Sequence, residues 1–199
     1  MADRKALLER KTGETDISVR VDIDGTGQYE VDTGVPMLDH MLSQLARHGA
    51  FDLNVRAQSS ADPDGHHVVE DVAILLGRAF GQALGDRTGI VRMSHALVPL
   101  DEALALVALD LGGRGYAQVD ISFSQPVVGG LTSDMTRHFL ETFAVEGRFN
   151  IHAKFMAGLN DHHKIEALFK ALAKSMDTAS RIDARTASQV PSTKGVIET

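Results

Sequence analysis

Cysteine is missing from this 199-residue chain. Its absence excludes disulfides, iron–sulfur clusters and thiolate zinc sites, so any metal must be held by imidazole and carboxylate. No apolar run approaches the roughly 20 residues that a membrane span needs. The opening stretch, MADRKALLERKTGE, lacks the apolar centre of a secretory signal, and a cytoplasmic location is the expectation. A basic excess is missing as well: 20 Lys and Arg stand against 27 Asp and Glu, for a net charge of −7. That balance argues against a nucleic-acid partner but leaves room for a local basic pocket around a small anion. Apolar content of 43% with 24% charged residues is ordinary for a globular chain.

What the chain does have is nine histidines, and several recur in order. His40 opens HMLSQLARHGAFDLNV and His138 opens HFLETFAVEGRFNIHA, so that Gly49 falls on Gly147, Phe51 on Phe149 and Leu53 on Ile151, all 98 residues apart. His66-His67-x-x-Glu70 matches His162-His163-x-x-Glu166 at an offset of 96. VDIDGTGQY resembles LDLGGRGY at an offset of 88, which lays Gly25 on Gly113, Gly27 on Gly115 and Glu14 on Glu102. Offsets change only where a loop can absorb an insertion, notably the Gly-rich SQPVVGGLTSD. The chain is an internal duplication.

Periodicity sketches one unit. DISVRVDID alternates in period two up to the GTG turn, and QYEVDT is expected to pair with it as a hairpin. VPMLDHMLSQLARHG carries Leu38, Met41, Leu42 and Leu45 at helical spacing, with Gly49 as the expected C-cap. AFDLNVRAQ alternates again, and HHVVEDVAILLGRAFGQALG has one apolar stripe. The expectation is an α+β domain made of two β-β-α-β-α units, with four helices packed between two sheets. The units span about 10–86 and 98–185, followed by a tail at 186–199.

Positions i and i+4 share a helix face, so His66 with Glu70, and His162 with Glu166, can each aim at one point. His67 and His163 project about 100° away and suit a second metal or another wall of the cavity. His40 and His138 add one imidazole per half, giving six histidines and two glutamates for two metals. Such sites accept Mn, Fe, Co, Ni or Zn. His48, His95 and His152 lie outside the repeated set and read as ordinary surface or capping histidines. Asp71 faces Ala167 in the repeat, so it is not a shared ligand and is either an auxiliary or substrate-contacting group or a solvated helix residue. The HExxH spacing of zinc proteases is absent, against peptide hydrolysis.

The segments MLDHMLSQLARHG, DGHHVVEDVAILLG, HALVPLDEALA, DLGGRGY and DHHKIEALFKALA resemble those of imidazoleglycerol-phosphate dehydratases over about Arg10 to Gly195. The resemblance implies a duplicated fold of the ribosomal protein S5 domain 2-like class and a carbon–oxygen lyase (hydro-lyase) of histidine biosynthesis. That enzyme would turn imidazole glycerol phosphate, a small phosphorylated imidazole, into imidazole-acetol phosphate. It further implies two Mn2+ per active site and a homo-oligomer of 24 subunits with the metals between subunits. Carried over position by position, the metal ligands are His40, His66, His67, Glu70, His138, His162, His163 and Glu166. The base that takes the carbon proton is Glu14. Phosphate and substrate contacts fall on Gln44, Arg92, Arg114, Lys170, Ser192 and Lys194. Without the resemblance, QVPSTKG reads as a loose tail and Arg114 as an exposed turn residue. Two other readings stay open: a dimetal hydrolase, which would release phosphate, and a metal-storage assembly, which has no use for Glu14.

Overall fold

A computed structural model describes residues 3–197 except 61 and 63. The first half runs β1 (Lys5–Lys11), β2 (Thr15–Asp22), β3 (Tyr29–Asp32), α1 (Pro36–Gly49), β4 (Asp52–Ser59) and α2 (His66–Leu84). The second half opens with β5 (Met93–Leu100), β6 (Ala103–Asp110) and β7 (Tyr116–Asp120). A two-residue hairpin, β8 (Val127–Val128) and β9 (Leu131–Thr132), fills the Gly-rich insertion, and α3 (Ser133–Gly147), β10 (Asn150–Ala157) and α4 (Asp161–Ser180) complete the half. The repeat offsets hold in the fold. β2 and β6 begin and end 88 residues apart, β4 and β10 are 98 apart, and α2 and α4 end 96 apart.

Each half forms a four-stranded sheet of the same order, β1-β2-β4-β3 and β5-β6-β10-β7. Alternation makes each strand two-faced: Ile17, Val19 and Val21 of β2 are buried while Asp16 and Arg20 are exposed. The helices lie between the sheets, with α1 packed along α4 and α2 along α3. Phenylalanines bind the halves together. Phe51 meets Phe80 at 5.1 Å, Phe80 meets Phe143 at 5.8 Å and Phe143 meets Phe149 at 5.4 Å, all edge to face. Burying each such ring contributes about 1.5–3 kcal/mol.

Three local expectations are corrected. Each unit has three strands of its main sheet before its first helix, because β1 and β5 extend the expected spans towards the N-terminus. KALLERK hides a strand because its apolar residues, Ala6, Leu7 and Leu8, are consecutive rather than alternating: Ala6 and Leu8 pack inward while Leu7 points out beside Lys5, Glu9 and Lys11. Second, β3 is not the hairpin partner of β2; β4 stands between them, antiparallel to β2 and parallel to β3. A helix separates β3 from β4 in sequence, and such a crossover is what parallel pairing requires. Third, the left-handed C-cap of α1 is Ala50 (φ 57°), mirrored by Arg148 (φ 55°) after α3. Gly49 and Gly147 have another duty. A Cβ on either would stand 2.3 Å and 2.1 Å from the ring of Phe51 and Phe149, so the repeated Gly-x-Phe is a packing unit.

Candidate metal centre and anion groove

The packing of α1 along α4 carries His40 to the end of the opposite half. Its Nε2 lies 3.0 Å from Oε2 of Glu166, and Nε2 of His162 lies 3.2 Å from the same oxygen. The two imidazoles stack at 5.5 Å. Donor atoms of His40, His162 and Glu166 all fall within 4.8 Å of one another, a spacing that suits one metal ion. Burial alone would raise the Glu166 carboxyl; Lys170 and His40 outweigh it and hold it at about 2, ionised as a ligand must be. The other pair of helices mirrors this set. His138 Nε2 lies 3.2 Å from Oε1 of Glu70, and the His66 and His138 rings stack at 6.0 Å. Each cluster is therefore crossed, with one histidine from the first helix of one half and a His/Glu pair from the last helix of the other.

His67 and His163 stand apart from these clusters, turned aside as adjacent helical positions require. His67 Nε2 lies 3.7 Å from the Glu14 carboxylate, which is exposed at the start of β2. His163 Nδ1 lies 2.9 Å from Glu102. Bonding to His163 holds the Glu102 carboxyl at about 2, and the same contact raises the His163 imidazole.

The predicted phosphate contacts fall into two groups. Arg92, Arg114, Ser192 and Lys194 line one open groove of about 630 Å³ between the DLGGRGY turn and the tail. Arg92 is already paired there, donating to both oxygens of Asp110 at 2.7 and 3.0 Å and to the Pro191 carbonyl at 2.7 Å. The tail is not loose: Gly89 N–H donates to the Gln189 carbonyl at 2.8 Å, and Ile197 is buried. Lys170 lies instead beside the first cluster, 2.6 Å from Glu166, and Gln44 lies one turn beyond His40. His48 joins this second group through Gln44 at 3.0 Å, its basicity lowered by burial and by Lys170 and Lys174. His95 and His152 sit on the outer face of the second sheet.

Asp71 resolves into a structural role: it is buried and bonded to Arg10 and to the Thr15 hydroxyl. Three carboxylates at the site, Glu102, Asp62 and Asp110, lie outside the set of expected site residues; Glu102 alone has a signal in the sequence, as the repeat of Glu14.

The profile of the imidazoleglycerol-phosphate dehydratases matches residues 33–176. The chain belongs to the imidazoleglycerol-phosphate dehydratase family. Relatives of that name from Dehalococcoides mccartyi and Chloroflexus aurantiacus are 57% and 58% identical, over 100% and 98% of this chain and 100% and 95% of theirs. The crystal structure of the Staphylococcus aureus dehydratase is similar at a TM-score of 0.81 and 29% identity, covering 90% of this chain and 99% of that one. That of the Pyrococcus furiosus dehydratase is similar at 0.79 and 34%, covering 95% and 99%. The chain is a dehydratase of histidine biosynthesis, a hydro-lyase. Among its described residues, no helix is long and apolar enough to cross a membrane.

Proposed function

We propose that this dehydratase works on imidazole glycerol phosphate with two Mn2+ ions, held by the two crossed clusters and completed by His67 and His163 of neighbouring subunits. The observation that carries the reading is the convergence of His40, His162 and Glu166 within 4.8 Å, a two-imidazole, one-carboxylate donor set that fits a divalent transition metal. The mirrored His138, His66 and Glu70 would hold the second ion, although among the described residues only the first set already has its donor atoms at metal-site spacing. Bound there, the ions would supply Lewis acidity towards the ring nitrogens of the substrate.

The chain's own residues do the rest. The hydroxyl leaves from the carbon attached to the ring, Glu14 takes the proton from the next carbon of the chain, and the resulting enol ketonises to imidazole-acetol phosphate. Its carboxylate is suited to this because, among the described residues, it makes no hydrogen bond. Arg114, Ser192 and Lys194 bind the phosphate in the groove, with Arg92 fixed by Asp110 as its wall. Lys170 and Gln44 meet the substrate from the metal side. The separation of these two groups within one chain supports a site assembled between copies.

A homo-oligomer of 24 subunits, working in the cytoplasm, belongs to the same reading. Its support is the outer face of the second sheet, which exposes Met93, Leu97, Tyr116 and Met156. The first sheet exposes Leu7 and Tyr29 among Lys5, Asp16, Arg20 and Arg56. An apolar face like that of the second sheet marks a protein contact.

The test is to incubate Mn2+-loaded protein with imidazole glycerol phosphate and follow both ketone and free phosphate. Ketone with phosphate retained is expected; phosphate release without ketone would mean a hydrolase instead. The particle mass with and without metal tests the assembly, and stripping the metal is expected to shrink it.

A further inference from the structure

Glu14 and Glu102 stand at the same step of the two half-folds, each one residue before the second strand of its half. Their surroundings differ. Among the described residues, the Glu14 carboxylate has only His67 Nε2 beside it, at 3.7 Å. Glu102 is held on three sides. Its Oε1 accepts the N–H of Leu159 at 3.2 Å and of Asn160 at 2.8 Å, and its Oε2 lies 2.9 Å from Nδ1 of His163. Asn160 in turn caps α4, accepting from the amides of His162 and His163. One carboxylate therefore ties together the start of β6, the turn into α4 and an imidazole of the HHxxE phrase.

An ionised carboxylate only accepts, so Nδ1 of His163 must carry the hydrogen. The other nitrogen, Nε2, then keeps its lone pair in the neutral ring. Its neighbour, the exposed Asp101 carboxylate, is 4.0 Å away, beyond hydrogen-bond reach. We propose that Glu102 is a positioning residue: it fixes the tautomer and direction of His163 so that Nε2 is presented to a metal ion. This rests on the metal reading above. A histidine ligand commonly donates its second nitrogen to a carboxylate in this way.

The first half leaves the matching ring less tightly held. Asp62 caps the amides of His67 and Val68, and its Oδ1 stands 3.3 Å from Nδ1 of His67 without a hydrogen bond to it. With a loop carboxylate facing that ring, Glu14 is released for proton transfer. In the second half the capping residue is an asparagine, its oxygen spent on two amides, and Glu102 takes the ring. Duplication gave two glutamates one position: Glu102 is bonded to its histidine at 2.9 Å, whereas Glu14 stands 3.7 Å from His67.

The test uses Glu102→Gln, His163→Ala and the double variant. In metal-free protein labelled with 15N-histidine, the His163 signals, assigned by their loss in His163→Ala, are expected to report Nδ1–H in the parent and a changed tautomer mixture in Glu102→Gln. An unchanged tautomer would overturn the proposal, whatever the metal does. Mn2+ titration followed by electron paramagnetic resonance should give an affinity about 10–100-fold weaker for Glu102→Gln. That loss should vanish in the His163→Ala background. Equal losses in both backgrounds would mean that Glu102 acts on the helix turn rather than through His163, and parent-like affinity would also refute it. Failure of the metal reading looks different: the parent takes up no Mn2+ while the tautomer still responds to Glu102→Gln.

Discussion

His40 and Glu166 meet at 3.0 Å although 126 residues separate them, and no contact within either half could replace theirs. Removing one partner should therefore empty one centre and spare the other. Glu166→Gln is expected to lower bound manganese from about two ions per chain to about one, with a loss of roughly 100-fold or more in kcat/KM. Elemental analysis of the purified variant checks it; a full complement would remove the crossed cluster from the ligand set.

Glu14→Gln should behave in the opposite way. Manganese content and substrate binding should be those of the parent, while kcat falls by about 10²–10⁴-fold, the usual worth of a general base. Steady-state rates together with metal analysis separate this from a ligand defect.

Lys194 lines the groove near the end of the described chain. Lys194→Ala should raise KM with a smaller change in kcat, as loss of uniform binding does. Raising ionic strength should weaken the parent more than the variant, since one phosphate contact is already gone.

Asp161 controls acid stability at the N-terminus of α4. It accepts from the amides of Ser124 and Gln125, both at 2.8 Å, and pairs with Lys164 at 2.5 Å. Burial alone would raise this carboxyl, but Lys164, Ser124 and Gln125 outweigh burial and hold it at about 2, below its ordinary 3.8. A depressed folded value stabilises above the unfolded value, and the contribution is lost as pH falls from near 3.8 towards about 2. Asp161→Asn should therefore cost about 1–3 kcal/mol near neutral pH. Its urea midpoint should converge on the parent's as the solution is acidified through that window.

Gly147→Ala tests the repeated Gly-x-Phe unit. The new methyl would stand 2.1 Å from the Phe149 ring, which is buried and cannot retreat. Overpacking of this kind costs about 1–3 kcal/mol, and each kcal/mol should lower Tm by about 2–4 °C. A Tm within a degree of the parent would contradict the packing role.

Much of the site was legible because duplication wrote it twice. The recurrence of His40, HHxxE and Gly-x-Phe at nearly constant offsets singled out eight residues, and three of them converge on one point. Helical spacing could say that His162 and Glu166 share a face. It could not say that His40 joins them rather than the pair on α2, because that depends on which helices pack together. β1 was hidden because Leu7 on its outer face breaks the alternation of apolar and polar residues, and the pairing of β3 was decided by the crossover helix after it. The His163–Glu102 contact was likewise out of reach, since the two are 61 residues apart and meet only through a turn.

The crossed clusters also bear on how such a chain could arise. A single half carries a histidine on its first helix and a His/Glu pair on its last, but the fold sends them to opposite clusters. One unfused copy would therefore hold two incomplete ligand sets, and two copies face to face would hold two complete ones. Such a centre can exist before the gene is doubled, as the product of a symmetric pair. Fusion would then replace a concentration-dependent encounter with a tether, keeping the partner at an effective concentration of roughly millimolar. Once the halves no longer had to be identical, one glutamate could remain free while its twin was tied.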